Sequence, residues 1–152
     1  MKENINIELL GWELIKKYRD EFELKEDLIH LPEKIIQFGT GILLRGLVDF
    51  LVDKANKNNC FNGRVVVIKS TGNFVDEFTK QNNLYTILEK GLYNGKPYEN
   101  KNIIASISRV LAAQNQWEEI LQCATDPDIE IAISNTTEAG LAFEPETLTN
   151  GT

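Results

Sequence analysis

Two glycines separated by one residue, Gly39 and Gly41, follow a short apolar run that ends at Phe38. A Gly-x-Gly turn between a strand and a helix brings the backbone close to a phosphate, and the helix N–H groups and dipole favour the anion. The third glycine of the pattern G-x-G-x-x-G would fall on Leu44, and Gly46 is out of register. The turn therefore predicts nucleotide binding through an incomplete pattern. A ligand-free turn of an ordinary α/β protein is the alternative.

The helix expected after this turn carries a cation, Arg45, in its first turn. A positive charge there opposes the helix dipole by about 0.3–1 kcal/mol, so a compensating anion is expected. Asp49, four residues on, would supply one as an ordinary surface pair. A phosphate or an acidic substrate would be the functional anion, and the residues alone leave both interpretations open.

Strand, helix and strand patterns surround the glycine turn. Lys34–Phe38 predicts a short buried strand, and residues 42–56 predict a helix. The apolar face of that helix should consist of Leu44, Val48, Leu51 and Ala55. The unbroken β-branched run in Arg64–Lys69 favours a strand covered on both faces, as in a parallel sheet. Together these elements predict a right-handed βαβ unit.

The remaining pattern continues the alternation of strands and helices. Further strands are expected at residues 84–92, 103–110 and 129–133, and further helices at residues 8–18 and 73–81. Asn94-Gly95 and Pro97 lie between two of these strands and predict an antiparallel excursion. The fold class is therefore α/β, a Rossmann-like, mostly parallel sheet with flanking helices.

A last helix is expected to begin at an N-cap formed by Asn115. Glu118 stands three residues later, as in a capping box. Its apolar face should consist of Trp117, Ile120, Leu121 and Ala124.

The end of the second strand bears on the choice of coenzyme. A carboxylate at this place normally binds the adenosine ribose of NAD. The strand ends instead in Lys69-Ser70-Thr71, and no carboxylate follows until Asp76. Lys69 would suit a 2′-phosphate, so these residues alone leave NAD and NADP open.

Composition narrows the classes of partner. The chain has 152 residues and a formal charge of −7, which argues against nucleic acid and membrane surfaces as general partners, because both are polyanionic. No apolar run reaches the roughly 18 residues that span a bilayer. Cys60 and Cys123 lie far apart and match no zinc pattern, so we expect two reduced thiols in a cytoplasmic protein and no metal site.

Four segments resemble a known family. They are residues 32–49 (PEKIIQFGTGILLRGLVD), 84–86 (LYT), 107–110 (ISRV) and 134–140 (SNTTEAG). In this order they resemble the N-terminal part of the mannitol dehydrogenase family of long-chain polyol dehydrogenases. The resemblance implies a Rossmann domain that binds NAD and a helical C-terminal domain that carries the catalytic lysine. It also implies hydride transfer between NADH and a keto-hexuronate, with interconversion of tagaturonate and altronate in hexuronate breakdown.

The resemblance also assigns residues to the coenzyme site. The family's coenzyme loop falls on Ile35, Ile36, Gln37, Phe38, Gly39, Thr40, Gly41, Ile42, Leu43, Leu44, Arg45 and Gly46. Its Asn-Thr-Thr-Glu segment places Asn135, Thr136 and Glu138 near the nicotinamide end. The family usually has phenylalanine where this chain has Leu43, which is a mild departure.

The same resemblance predicts the domain organisation. Residues 1–31 would form a helical extension and residues 32–152 a partial dinucleotide-binding domain, while the C-terminal catalytic domain has no counterpart in this sequence. We therefore expect a small sugar acid as the substrate of the whole enzyme, and at best weak NADH binding without turnover by this chain. The oligomeric state does not follow from the sequence.

No residue stands out as the proton donor that carbonyl reduction requires. His30 precedes the first strand and so should lie at the edge opposite the coenzyme. Tyr85, Lys69 and Lys90 are candidates that no spacing distinguishes, and the catalytic residues stay unassigned.

Two other functions fit the same pattern. A Rossmann-like methyltransferase also has a glycine turn after its first strand, but usually with acidic residues where Gln37 and Lys69 stand here. A non-catalytic nucleotide-sensing module is the other alternative.

Overall fold

The computed structural model describes residues 8–18, 24–72 and 75–136. Its strands are β1 (Glu33–Phe38), β2 (Arg64–Lys69), β3 (Tyr85–Tyr93), β4 (Lys96–Ile104), β5 (Ile107–Ala112) and β6 (Ile131–Ser134). Its α-helices are α1 (Trp12–Lys17), α2 (Phe50–Lys57), α3 (Asp76–Thr79) and α4 (Trp117–Thr125). A 3₁₀ helix spans Glu26–His30, and a π-helical segment, Leu44–Asp49, runs directly into α2.

Four parallel strands form the central sheet in the order β5-β2-β1-β6. β2 lies in the middle and is buried from Arg64 to Ile68, as its β-branched run predicts. One face of the sheet packs against α2 and α3 through Val52 and Phe78, and the other packs against α4 through Ile120. The parallel α/β architecture predicted from the sequence is confirmed.

The helix that follows the glycine turn buries only part of the predicted face. Ile42 and Leu43 are already helical, and the π-helical segment then adds one residue to a turn. The fully buried positions are Leu44, Asp49, Asp53 and Asn56, and the half-buried ones include Val48, Val52 and Ala55. Leu51, expected in the core, is 53% exposed. The regular 3.6-residue period failed because the π turn rotates every later side chain around the helix axis.

This rotation can be tested at two neighbouring positions. Leu51→Gln is expected to change the free energy of unfolding by less than about 0.5 kcal/mol, because Leu51 faces solvent. Val52→Ala should destabilise by about 1 kcal/mol, because Val52 packs against the core of the sheet. Urea unfolding of both variants measures the difference, and equal costs would contradict the register set by the π turn.

The expected strand over residues 103–110 is wrong, because the chain turns within it. Ile103 and Ile104 end β4, which pairs antiparallel with β3, and Ile107 begins the parallel strand β5. Between them the Ala105 amide donates to Asp53 Oδ1 at 2.8 Å, and the Ser106 hydroxyl donates to the Asp49 carbonyl at 2.8 Å. These bonds to the helix redirect the backbone from hairpin to sheet. The hairpin itself confirms the antiparallel excursion.

The predicted capping box of α4 does not form. The N-cap position is Gln116, not Asn115, and it makes no side-chain cap bond. Gln116 Oε1 instead accepts the Ala112 amide at 2.9 Å, which ties the helix start to the end of β5. The buried face of α4 is Ile120 with Cys123, whereas Trp117, Leu121 and Ala124 are exposed.

The residues before β1 lie at the amino edge of the sheet. Helix α1 buries Ile15 against Leu84 and Ala105. His30 is exposed at the end of the 3₁₀ helix, at the edge opposite the glycine turn, as predicted. The predicted helix over 8–18 is confirmed in part, and that over 73–81 is shorter, with Asn73 and Phe74 outside the described residues.

Candidate functional site

The glycine turn is open to solvent. Gly39 has φ +110°, in the region that favours glycine, and its amide donates to the Ile68 carbonyl at 2.8 Å. A Cβ atom built on Gly41 would meet no atom within 4 Å, and the same is true of Gly46. Because no side chain fills the space beside Gly41, a ligand can approach the backbone there.

Strand order places this turn where a ligand crevice is expected. Phe38, the last residue of β1, pairs with Ile68 of β2 on one side and Ser134 of β6 on the other. The chain passes from β1 to opposite sides of the sheet, which makes this carboxyl edge a topological switch point. Asn135 and Thr136 follow β6 at the same edge and are exposed. Glu138 lies outside the described residues.

The predicted coenzyme residues separate into two groups. Ile35, Ile36, Gln37 and Leu44 are buried and support the turn from below. Phe38, Ile42 and Leu43 are exposed, with Ile42 82% exposed, and they border the open side together with the exposed Gly41. Thr40 and Arg45 are half-buried. The structure thus brings the loop residues to one edge, and their assignment to the coenzyme stays a prediction.

Arg45 is held over two aromatic rings. Its guanidinium lies 5.8 Å from the ring centre of Phe78 and 5.9 Å from that of Tyr85. Its own carbonyl accepts a hydrogen bond from the Tyr85 hydroxyl at 2.8 Å. The surface pair with Asp49 considered above is wrong, because Asp49 is completely buried.

A buried polar cluster lies beneath the turn, and the sequence did not predict it. Gln37 Nε2 donates to the Gly39 carbonyl and to Asp49 Oδ2, both at 3.3 Å. Gln37 Oε1 and Asp49 Oδ1 are buried without a hydrogen-bond partner. Burial raises the pKa of Asp49 to about 7, although Gln37 and the Arg45 charge lower it in part. The spacing of Asp49 from Arg45 suggested a surface residue, so no local signal pointed to this cluster.

A carboxylate of α3, which the sequence did not place there, lies near the end of β2. Lys69 Nζ lies 3.2 Å from Glu77 Oε1, which brings α3 over the strand end. A carboxylate of α3 therefore pairs with the last residue of β2, the strand whose end contacts the adenosine ribose in Rossmann domains.

The proton-donor candidates do not converge. The Tyr85 hydroxyl already donates a hydrogen bond to the Arg45 carbonyl, and burial raises the pKa of this hydroxyl far above its usual value. Lys90 pairs with Glu99 within the hairpin, at 3.1 Å. Lys69 pairs with Glu77. No complete catalytic set is found in the part of the chain that the structure describes.

A cavity of about 370 Å³ lies at the amino edge of the sheet, beside Leu28, Phe61 and the exposed thiol of Cys60. It is remote from the turn. Among residues 8–18, 24–72 and 75–136 no group of three or more His, Cys, Asp or Glu side chains could hold a metal ion. No helix within those ranges is long and apolar enough to cross a membrane.

Comparison with known protein families identifies the family of this chain. The profile of the mannitol dehydrogenase Rossmann domain matches residues 33–151. The chain belongs to the mannitol dehydrogenase family. The resemblance seen in the sequence is thereby confirmed.

Curated proteins named altronate oxidoreductase match about three quarters of the chain. The altronate oxidoreductase of Halalkalibacterium halodurans is 43% identical over 118 residues, which is 76% of this chain and 23% of that protein. The altronate oxidoreductase of Bacteroides thetaiotaomicron is 39% identical over 118 residues, 77% of this chain and 25% of that protein. The chain thus spans about a quarter of the length of these relatives.

Solved structures of dehydrogenases share the fold. D-sorbitol dehydrogenase in substrate-free form superposes with a TM-score of 0.74 at 22% identity, over 92% of this chain and 29% of that one. Mannitol 2-dehydrogenase of Pseudomonas fluorescens, in a ternary complex with NAD and D-mannitol, gives 0.67 at 16% identity, over 84% and 26%. These likenesses confirm the Rossmann-like architecture. NAD, the coenzyme that the family resemblance implies, is the one bound in the second structure.

Proposed function

We propose that this chain is the coenzyme-binding part of an NAD-dependent oxidoreductase that transfers hydride between NADH and a keto-hexuronate, interconverting tagaturonate and altronate. The observation that carries the proposal is the open Gly39–Gly41 turn at the switch point between β1 and β6. The names of the curated relatives favour altronate as the alcohol product.

The turn has the form that a diphosphate requires. Gly39 takes up a backbone conformation that side chains disfavour, and Gly41 leaves its backbone uncovered. The helix that begins at Ile42 points its first amides and its dipole toward this space. Backbone donors at a helix start can bind an anion without any charged side chain, and Arg45 adds positive charge nearby.

Each part of this edge would have a separate task in the reaction. NADH, when bound, supplies the hydride. The Gly39–Gly41 backbone would hold the diphosphate, and Asn135 and Thr136 would lie beside the nicotinamide end. The sugar acid would bind mainly to the part of the enzyme that this chain does not match, and the proton donor would come from there.

This division of tasks sets the domain organisation that we propose. Residues 32–152 form the dinucleotide-binding domain, residues 1–31 a helical extension, and a further catalytic domain completes the enzyme. The enzyme would act in hexuronate breakdown in the cytoplasm.

A binding experiment tests the first half of the proposal. Calorimetric titration of the 152-residue chain with NADH should show weak saturable binding. The same titration with S-adenosylmethionine should show no heat of binding. Binding of S-adenosylmethionine without a response to NADH would favour the methyltransferase alternative and overturn the proposal.

A chimeric enzyme tests the second half. Residues 33–151 would replace the matching segment of the Halalkalibacterium halodurans altronate oxidoreductase, to which this chain is 43% identical. The chimera should reduce tagaturonate with NADH, while the 152-residue chain alone should not. Robust turnover by the chain alone would contradict the assignment of catalysis to another domain, and a stable chimera that binds NADH without reducing tagaturonate would contradict the role of this chain as the coenzyme-binding part of such a reductase.

A further inference from the structure

The buried cluster below the glycine turn contains more acceptors than donors. Asp49 is fully buried, and its carboxyl faces Gln37 of β1 and Tyr85 of β3. The Tyr85 hydroxyl donates to the Arg45 carbonyl at 2.8 Å, and its contact with Asp49 lowers the pKa of that carboxyl in part. Gln37 Oε1 and Asp49 Oδ1, both acceptors, are left without partners. A proton on Asp49 would turn one of these unpaired acceptors into a donor.

The charged groups around Asp49 only partly compensate the negative charge that its carboxylate would carry when ionised. Arg45 is the nearby cation, but its guanidinium lies over the rings of Phe78 and Tyr85. Asp53, one turn further along the helix, is itself paired with Lys57 at 2.7 Å. Ser106 donates to the Asp49 backbone carbonyl and leaves the carboxyl untouched.

Gln37 links this carboxyl directly to the turn. A single nitrogen, Nε2, contacts both Asp49 Oδ2 and the carbonyl of Gly39, each at 3.3 Å. The carboxyl therefore lies one side-chain amide away from the backbone that would bind the diphosphate. A negative charge at that depth repels an anion through a medium that screens poorly.

We propose that Asp49 is a positioning residue for the coenzyme turn: its carboxyl holds Gln37 against Gly39, and its ionisation places a buried negative charge near the diphosphate, which weakens binding of the dinucleotide. The inference rests on the proposed function, because it concerns the same turn. By linkage, binding of the dianionic coenzyme must favour the protonated form of Asp49, so the chain takes up a proton as NADH binds.

Calorimetric titration with NADH between pH 5.5 and 8.5 tests the proposal on the 152-residue chain. Affinity should fall on the order of tenfold between pH 6 and pH 8. Asp49→Asn, which mimics the neutral acid, should bind with the affinity of the wild type at pH 6 and show no such pH dependence. Asp27→Asn, at an exposed carboxylate of the 3₁₀ helix on the opposite edge of the sheet, should follow the wild type.

A second readout needs no coenzyme and separates this proposal from the proposed function. In NMR spectra of the free chain, the amide shifts of Gly39 and Gly41 should titrate with one midpoint in the wild type and stay constant in Asp49→Asn. If NADH fails to bind at any pH, the proposed function is wrong, and the glycine titration still decides the role of Asp49. Glycine shifts that ignore pH in the wild type, or a pH dependence that survives in Asp49→Asn, overturn the proposal.

Discussion

Gly41→Val is expected to lower the affinity for NADH by roughly a hundredfold or more and to leave the fold intact. Residue 41 has ordinary backbone geometry, and a Cβ atom there would meet only open space, so valine fits the free protein. Its methyl groups would occupy the space through which the diphosphate reaches the backbone amides. Hydrogen bonds to charged groups contribute about 1.5–3 kcal/mol each, and each factor of ten in affinity corresponds to about 1.4 kcal/mol. Calorimetric titration with NADH measures the loss.

Two further glycine variants make this result specific. Gly91→Val, in the hairpin and equally open, should bind NADH like the wild type. Gly39→Val should lose affinity for NADH as well. It should also lower the free energy of unfolding by about 1–3 kcal/mol, because residue 39 has φ +110°. Wild-type affinity in Gly41→Val would show that no ligand approaches the turn.

Asp49→Asn is expected to stabilise the free protein at pH 8 by up to about 4 kcal/mol and to have little effect at pH 4. The carboxyl titrates at its ordinary pKa of 3.8 in the unfolded chain and near pH 7 in the folded one. Between these values the folded state binds more protons, so stability falls as the pH rises, and the whole penalty is present above pH 7. The size of this effect follows from the difference between the two pKa values, because each pKa unit corresponds to about 1.4 kcal/mol of unfolding free energy.

Urea unfolding of wild type and Asp49→Asn at pH 4, 6 and 8 measures this effect. The gain in unfolding free energy should grow across the series. Asp76→Asn is the control, because its carboxylate is exposed and pairs only loosely with Lys80, at 3.8 Å; it should change stability by less than about 0.5 kcal/mol. A gain for Asp49→Asn that is the same at all three pH values would contradict burial of an ionisable acid.

Local sequence patterns were sufficient to predict β2 and the glycine turn that follows β1. The β-branched run of β2 requires cover on both faces, and the sheet supplies it. Gly39 takes the positive φ that a tight turn after β1 demands. These features depend on neighbours in sequence, so the residues themselves predicted them.

The buried side of the following helix depended on distant contacts. A period of 3.6 residues assigned Leu51 to the core, but the π-helical segment turns Asp49 and Asp53 inward instead. Both acids are held there by groups far along the chain, Gln37 in one case and the Ala105 amide in the other. No spacing within the helix indicates such partners.

The order of residues was enough to predict the parallel α/β frame, the glycine turn and the family, because strand composition and glycine placement are local properties. The three-dimensional packing was needed to learn which polar groups lie beneath the turn and where the hairpin ends, at Ala105 and Ser106. Packing also brought Glu77 to the end of β2. These features arise from hydrogen bonds and ion pairs between different elements, whose partners meet only when the sheet and its helices assemble.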